Sequence, residues 1–363
     1  MLYLTRSAGF SFALPRNNAA ITVLHRFFTT FGPSLVGAIL ALLVGALLMV
    51  LSGANPVIAY QAMLNGAFGG SRPLTETTLK TIPLLMIGLG LAVAFKARVW
   101  NIGAEGQYFM GALLGSLVAL NFPNLPAPVL IPAILIAGAL GGAVWGLIPA
   151  LLRTRRGLSE IISTLMFNYI AIFLVEYMAR GPLKDPQGFL PESAQFGAAA
   201  RLPSLFGSRI HIGVILALVL IPLVYVLIWR TPLGFRLRAI GSRASVARFA
   251  GIQVEAGIIF ALLFSGALAG LTGIMEVSYL HSRLKGTISG GYGFAAILVA
   301  LLGRLHPVGI FFAAIFFAAL TIGAESMHTL TGLSATLADA IQALMVLFVL
   351  GVDAYFRLRR SQK

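Results

Sequence analysis

VLIPAILIAGALGGAVWGLIPALL, residues 129–152, carries no charged side chain over 24 positions. A helix rises ~1.5 Å per residue, so this stretch is about 36 Å long and crosses the roughly 30 Å hydrocarbon core of a bilayer. It ends on Arg153, Arg155 and Arg156, the kind of basic cluster that stays on the cytoplasmic side. Gly138, Gly142 and Gly146 recur every four residues and share one helix face. In lipid, small residues at that spacing let helix backbones approach closely. Gly111 with Gly115, and Gly266 with Gly270, repeat the pattern. Helix packing is the reading these glycines support.

The rest of the chain agrees. Of its 363 residues, 58% are hydrophobic and 10% charged, with a mean hydropathy of +0.93. A soluble domain carries about 25% charged residues. So little charge does not build a water-facing surface. The fold class is therefore all-α integral membrane, a polytopic helical bundle. Open strands are excluded, because their backbone groups would go unpaired in lipid. The net charge of +15 reads as cytoplasmic loops and contact with anionic membrane lipids, with no nucleic acid involved. The absence of cysteine removes disulfides, thiolate catalysis and Cys-ligated metal.

About ten transmembrane spans are expected, at 34–53, 79–95, 103–120, 129–152, 161–179, 210–229, 257–275, 292–303, 307–324 and 335–352. The eighth is short and reads equally well as a re-entrant half-helix. With the N-terminus inside, 18 of the 26 Lys and Arg fall on the cytoplasmic side, which places both termini in the cytoplasm. Residues 1–33 form a cytoplasmic tail with an amphipathic stretch near Phe27–Phe31. Residues 34–353 form one transmembrane domain with a basic inner loop at 230–256. Residues 354–363 form a basic cytoplasmic tail. The outer loop 180–209 is polar and holds Pro182, Pro186, Pro191 and Pro203.

Several chemistries are missing. A phosphate-binding loop ends in Gly-Lys-Ser/Thr, and of the five lysines only Lys80 precedes Thr, after Leu79. The chain binds no ATP by that device, so any ATPase is a partner. The five histidines show no i, i+4 pairing of the kind a helical zinc site uses. No Gly-x-Ser-x-Gly elbow occurs. Glu105, Glu160, Glu176, Glu276, Glu325 and Asp339 fall near expected span ends, where an ion-coupled carrier would place carboxylates within the spans.

Three stretches are more polar than simple spans require. In Trp100–Gln107, Asn101, Glu105 and Gln107 are costly toward lipid. Asn101 is a candidate helix cap, with Glu105 in the first turn beyond it. The same three residues are candidates for a substrate path or gate. In Gly157–Tyr169, Glu160, Thr164 and Asn168 are spaced by four and stack on one face, with Ser159 as a candidate N-cap. They fit interhelical hydrogen bonding or a pore-lining stripe. In Thr231–Ile252, Gly241 permits a break, Ser242–Ala250 reads as a short Ala- and Arg-rich helix, and Gly251 ends it. That shape suits docking into a cytoplasmic partner.

At these three stretches the chain resembles the permeases of ABC importers for branched-chain amino acids, simple sugars and nucleosides. The resemblance runs from about Ala54 to the C-terminus. Asn101–Gln107 and Glu160–Tyr169 are similar to the nucleoside branch. Ala54-Asn55-Pro56, Tyr60-Gln61-Ala62 and Gly66–Gly69 are similar to the longer of its two paired permeases. The resemblance implies a translocation pathway for nucleosides in a bacterial inner (plasma) membrane. It implies a second homologous permease, ABC ATPase subunits that bind ATP and Mg, and an extracytoplasmic substrate-binding protein. The chain itself holds no cofactor and is no enzyme. The third stretch corresponds to the ATPase-coupling segment, with Gly234, Arg238, Gly241, Arg243, Ala247, Arg248 and Gly251. A permease for simple sugars is the alternative within the family. A stand-alone ion-coupled secondary carrier is the alternative outside it.

Overall fold

The computed structural model describes residues 36–37, 39–205, 207 and 209–361. The tail 1–33, with its Phe27–Phe31 stretch, lies outside them. Each of the ten apolar stretches is helical over most of its described part, and no strand occurs among the described residues. Six helices are long and apolar enough to cross a bilayer. They are α3 (Ser71–Lys96), α5 (Ala127–Arg156), α6 (Glu160–Arg180), α7 (Gly213–Arg230), α10 (Val254–Glu276, extended by a π turn over Val277–His281) and α12 (Pro307–Thr331). Helices α1 (Ile39–Leu51) and α2 (Pro56–Phe68) make a seventh if taken as one broken span.

The expected ten spans are thus six or seven by length and apolarity. The others differ for physical reasons. Helix α4 (Ala104–Asn121) opens on Glu105 and Gln107. Helix α11 (Tyr292–Leu302) has 11 residues, about 16 Å, half a bilayer. Helix α13 (Ala335–Ser361) carries one apolar run, Thr336–Val352, and takes in the basic residues after 353. Helix α2 was unexpected; Pro56 occupies its first position, where a missing N–H costs nothing.

Residues 57–339 form one unit, and residues 1–56 with 340–363 another. In the smaller, a Cβ on Gly37 would lie 2.7 Å from the Phe348 carbonyl oxygen. In the larger, α3 is buried nearly all round from Leu79 to Phe95, as befits the centre of a bundle. Helices α5, α6 and α7 turn large apolar residues outward, among them Ile136, Leu140, Val144, Phe173 and Leu223. Their inner faces carry small ones: Gly138, Gly142 and Gly146 on α5, Ala171 on α6 and Ala217 on α7. That inversion of a soluble protein is what lipid asks for.

The glycine repeats form a seam between α4, α5 and α10. A Cβ on Gly111 would sit 2.1 Å from the Gly270 Cα, and one on Gly142 2.0 Å from the Gly266 carbonyl oxygen. No side chain fits there. Helix α10 spans about 33 Å from Val254 to Glu276, so it has two distinct ends. Its first end adjoins α8 (Pro232–Ser242) and α9 (Ala244–Phe249). Its second end meets the loop after α6. Ser193 N donates to Leu284 O at 2.8 Å, Phe196 N to Ser282 O at 2.8 Å, and Arg283 pairs with Asp185 at 2.8 Å. The Gln187 amide, and after it the Arg283 guanidinium, hold the Asp185 carboxyl below its usual range.

His211, just before α7, is buried against Tyr279, with ring centroids 4.6 Å apart. Its Nδ1 accepts from Gly213 N at 3.1 Å. Burial pushes its pKa from 6.5 down to about 4. Between those values the unfolded chain binds the proton more readily. The contribution of His211 is therefore complete above pH 6.5 and is lost as pH falls toward 4.

Two outcomes are expected. Gly270→Ala lowers the thermal midpoint of the detergent-purified chain, by about 1–3 kcal/mol or more of overpacking. Gly351→Ala, with nothing within 4 Å, leaves it unchanged; equal midpoints for the two would remove the seam. The midpoint also falls between pH 7.5 and 5, and His211→Asn, whose side-chain oxygen replaces Nδ1, flattens that slope; an undiminished slope would place the titration elsewhere.

Candidate functional site

Helix α3 ends at Lys96, and the chain crosses to α4 through residues 97–103 with Arg98 at φ 53°. This crossing leaves backbone groups without helical partners inside the bundle. Side chains supply them. Asn168 Oδ1 accepts from Gly106 N at 2.7 Å, and Asn168 Nδ2 donates to Ile102 O at 2.8 Å. Thr164 Oγ1 accepts from Ile102 N at 3.1 Å and donates to Glu160 O at 2.6 Å. Glu160 accepts from Trp100 N at 3.4 Å and pairs with Arg153. The four-residue stripe on α6 is therefore a strip of partners for one crossing chain.

Asn101 faces the other way. Its Nδ2 donates to Gln107 Oε1 at 2.8 Å and to Ser265 Oγ at 3.0 Å; its Oδ1 accepts from Gly103 N at 3.0 Å and Gln107 Nε2 at 3.3 Å. Asn101, Gln107, Thr164, Asn168 and Ser265 are all buried. A buried amide left unpaired costs a few kcal/mol, so a closed set is required. The expected helix cap takes another form. Gly103 holds the N-cap position of α4, and Asn101 caps the turn two residues earlier. Ser159 does occupy the N-cap position of α6, yet its side chain makes no capping bond; its carbonyl accepts from Ser163.

Glu105 reaches a different element. Its Oε2 accepts from Gly293 N at 2.6 Å, at the start of α11. A carboxylate there meets the free amides and positive end of the helix. Glu105 is 3% exposed and faces another helix, one of the settings its polarity allowed. All six sequence candidates thus fall in one region around the crossing.

The second candidate region is α8 with α9. Thr231 Oγ1 accepts from Gly234 N at 3.0 Å and donates to Leu227 O at 2.6 Å, which turns the chain sharply after α7. A Cβ on Gly234 would lie 2.1 Å from Leu227 O. Gly241 does not break the helix. Helix α8 runs through it, and a Cβ there would be 2.0 Å from Lys96 O. Close approach to the end of α3 is its role. The break falls at Arg243, in extended conformation, so the short helix is Ala244–Phe249 in place of 242–250. Gly251, at φ 78°, ends this stretch as expected. Ala247 is buried and Arg238 half-buried; Arg243, Val246 and Arg248 are exposed, and Phe249 is 95% exposed. Arg248 pairs with Glu255.

Over residues 74–350 the chain matches a family model described as branched-chain amino acid transport system / permease component. The chain belongs to that family. It is 36% identical to a guanosine ABC transporter permease protein of Bacillus subtilis, over 87% of this chain and 91% of the relative. It is 36% identical to a glucose ABC transporter permease protein of Haloferax volcanii, over 91% and 89%. It is 32% identical to a nucleoside ABC transporter permease protein of Lactococcus lactis, over 87% and 89%. No solved structure matches. The family is one of transport components, and the chain is a multi-pass membrane permease.

Ser265 and Gly293 escape a sequence reading, since a lone Ser in an apolar helix and a Gly beside a short span carry no pattern. Asn168→Leu is expected to leave Gly106 N–H and Ile102 C=O buried without partners, at about 1–3 kcal/mol each. The thermal midpoint in detergent then falls clearly below wild type; an unchanged midpoint would show that neither bond matters.

Proposed function

We propose that this chain is the permease subunit of an ABC importer for nucleosides, in a bacterial plasma (inner) membrane. The observation that carries the reading is its near full-length similarity to the guanosine and nucleoside permeases. The chain pairs with a second, homologous permease. ATP and Mg are bound by separate ATPase subunits, and an extracytoplasmic binding protein delivers substrate. The glucose relative favours one second reading, a permease for simple sugars.

Helices α8 and α9 are the coupling element. The root, from Gly234 to Gly241, packs tightly under α3 and α7, so a push on α9 moves those helices. The tip presents Phe249, Val246 and Arg243 to a partner. An aromatic anchor with a basic rim is the composition of a protein-docking hot spot. Both termini and this tip lie in the cytoplasm, and the 180–209 loop lies outside, as the Lys and Arg bias requires. Asn101, Glu105, Gln107, Glu160, Thr164 and Asn168 bound the pathway or its gate. They join the crossing to α6, α10 and α11, the helices that must shift between inward- and outward-facing states.

Tritiated nucleoside uptake by cells carrying or lacking the gene tests the function, with glucose and a branched-chain amino acid as controls. Selective loss of nucleoside uptake is expected. Loss of glucose uptake alone would overturn the nucleoside assignment within the same family. Phe249→Asp and Arg243→Glu are each expected to reduce co-purification of the ATPase while leaving the chain in the membrane. Undiminished co-purification would remove α9 from the coupling role.

A further inference from the structure

At the second end of α10 the helix unwinds. It passes through the π turn Val277–His281, breaks at Ser282 with φ 51°, and resumes as α11 after Gly291 at φ 86°. Non-helical backbone inside a membrane domain is tolerated where it is buried or lines a cavity, and π turns often mark functional sites. Here it lines a cavity of about 220 Å³, walled by Glu276, Lys80, Tyr292, Thr287, Glu76 and His281 among others.

Glu276 is 3% exposed. Among the described residues no donor lies within hydrogen-bond distance of its carboxyl group, and no cation within 4 Å. Its carboxyl group opens onto the cavity, so its donors come from whatever the cavity holds. Lys80 faces it across the cavity and acts on it electrostatically, beyond ion-pair distance. Its Nζ lies 5.7 Å from the centre of the Tyr292 ring and 3.9 Å from Glu325 Oε1. Tyr292 is the first residue of α11, one place before the amide that Glu105 holds.

We infer that this cavity binds the vicinal diol of a sugar ring, with Glu276 accepting from the two hydroxyls and the Tyr292 ring packing on the ring's C–H face. A hydroxyl both donates and accepts, so it serves the carboxyl of Glu276 and the ammonium of Lys80 together. The volume is below the roughly 300–1,000 Å³ that encloses a whole drug-sized ligand, and suits one ring. The sugar ring is also the chemistry common to nucleosides and glucose. The inference rests on the proposed import function and adds the residues that choose the substrate: a ribonucleoside enters with its diol on Glu276, and a 2′-deoxynucleoside lacks one of the two hydroxyls. Glu105 is a positioning residue, since it fixes the turn that carries Tyr292.

The test measures uptake of uridine and 2′-deoxyuridine in cells expressing the whole importer with wild-type chain, Glu276→Gln or Glu276→Asp. Membrane level and ATPase co-purification serve as folding controls. Glu276→Gln, which keeps one acceptor oxygen and replaces the other by a donor, is expected to reduce the uridine to deoxyuridine ratio about tenfold, the effect of one lost hydrogen bond. Glu276→Asp, which keeps the carboxyl, is expected to retain part of the preference. A ratio unchanged in Glu276→Gln, with the controls normal, would overturn the inference and place the choice in the binding protein. If wild-type cells take up glucose and no nucleoside, the nucleoside reading fails separately. The same variants are then compared on glucose and 2-deoxyglucose, where an unchanged ratio overturns the inference and a reduced one supports it.

Discussion

The backbone contact of α4, α5 and α10 is the constraint on which the rest depends. In a bilayer the hydrophobic effect does not draw helices together, because lipid tails are as apolar as leucine. Association comes from close contact, and close contact needs missing side chains. Gly111, Gly142, Gly266 and Gly270 provide it. With these backbones touching, large apolar residues can face outward on α5, α6 and α7 without loss of cohesion.

The seam then sets where polar groups can be afforded. Helix α4 is held deep in the bundle, so the chain that leads into it from α3 is buried too. Its free amides and carbonyls must be met, and Thr164, Asn168 and Asn101 meet them. Glu105 continues this chain of contacts to the start of α11. One side of the crossing touches Gly241 of α8, and the other reaches the turn that carries Tyr292. The α8–α9 end and the Glu276 cavity are therefore joined by a short run of packed backbone, hydrogen bonds and one central helix. Such a connection suits a device that converts a push at one end into opening at the other.

Much of this was legible in the sequence. Apolar run length located the helices, four-residue spacing found the seam and the α6 stripe, and polar cost singled out Asn101, Glu105 and Gln107. The misses have definite causes. Helix α2 is apolar but short, with Asn and Gln inside it, and reads as loop. Gly241 looked like a breaker because a glycine's local effect is visible in sequence, while its contact with Lys96 lies 145 positions away. Glu276 was expected near a span end, and it is the last residue of α10; its burial was not foreseen. Its burial follows from the unwound turn beyond it, which no periodicity announces. Lys80 approaches it from α3, 196 positions away in the chain, and Tyr292 from α11 after the unwound segment.

The proposed orientation puts α9 on the cytoplasmic side of the membrane and the 180–209 loop on the opposite side. The chain contains no cysteine, so single cysteines at the exposed positions Phe249 and Phe189 report their side cleanly. The most direct measurement is labelling of Phe249→Cys and Phe189→Cys in intact cells with a membrane-impermeant maleimide, after opening the outer envelope where one exists. With that orientation, position 189 is labelled in intact cells and position 249 only after the membrane is permeabilised. Labelling of 249 from outside, or of both positions from the same side, would contradict it.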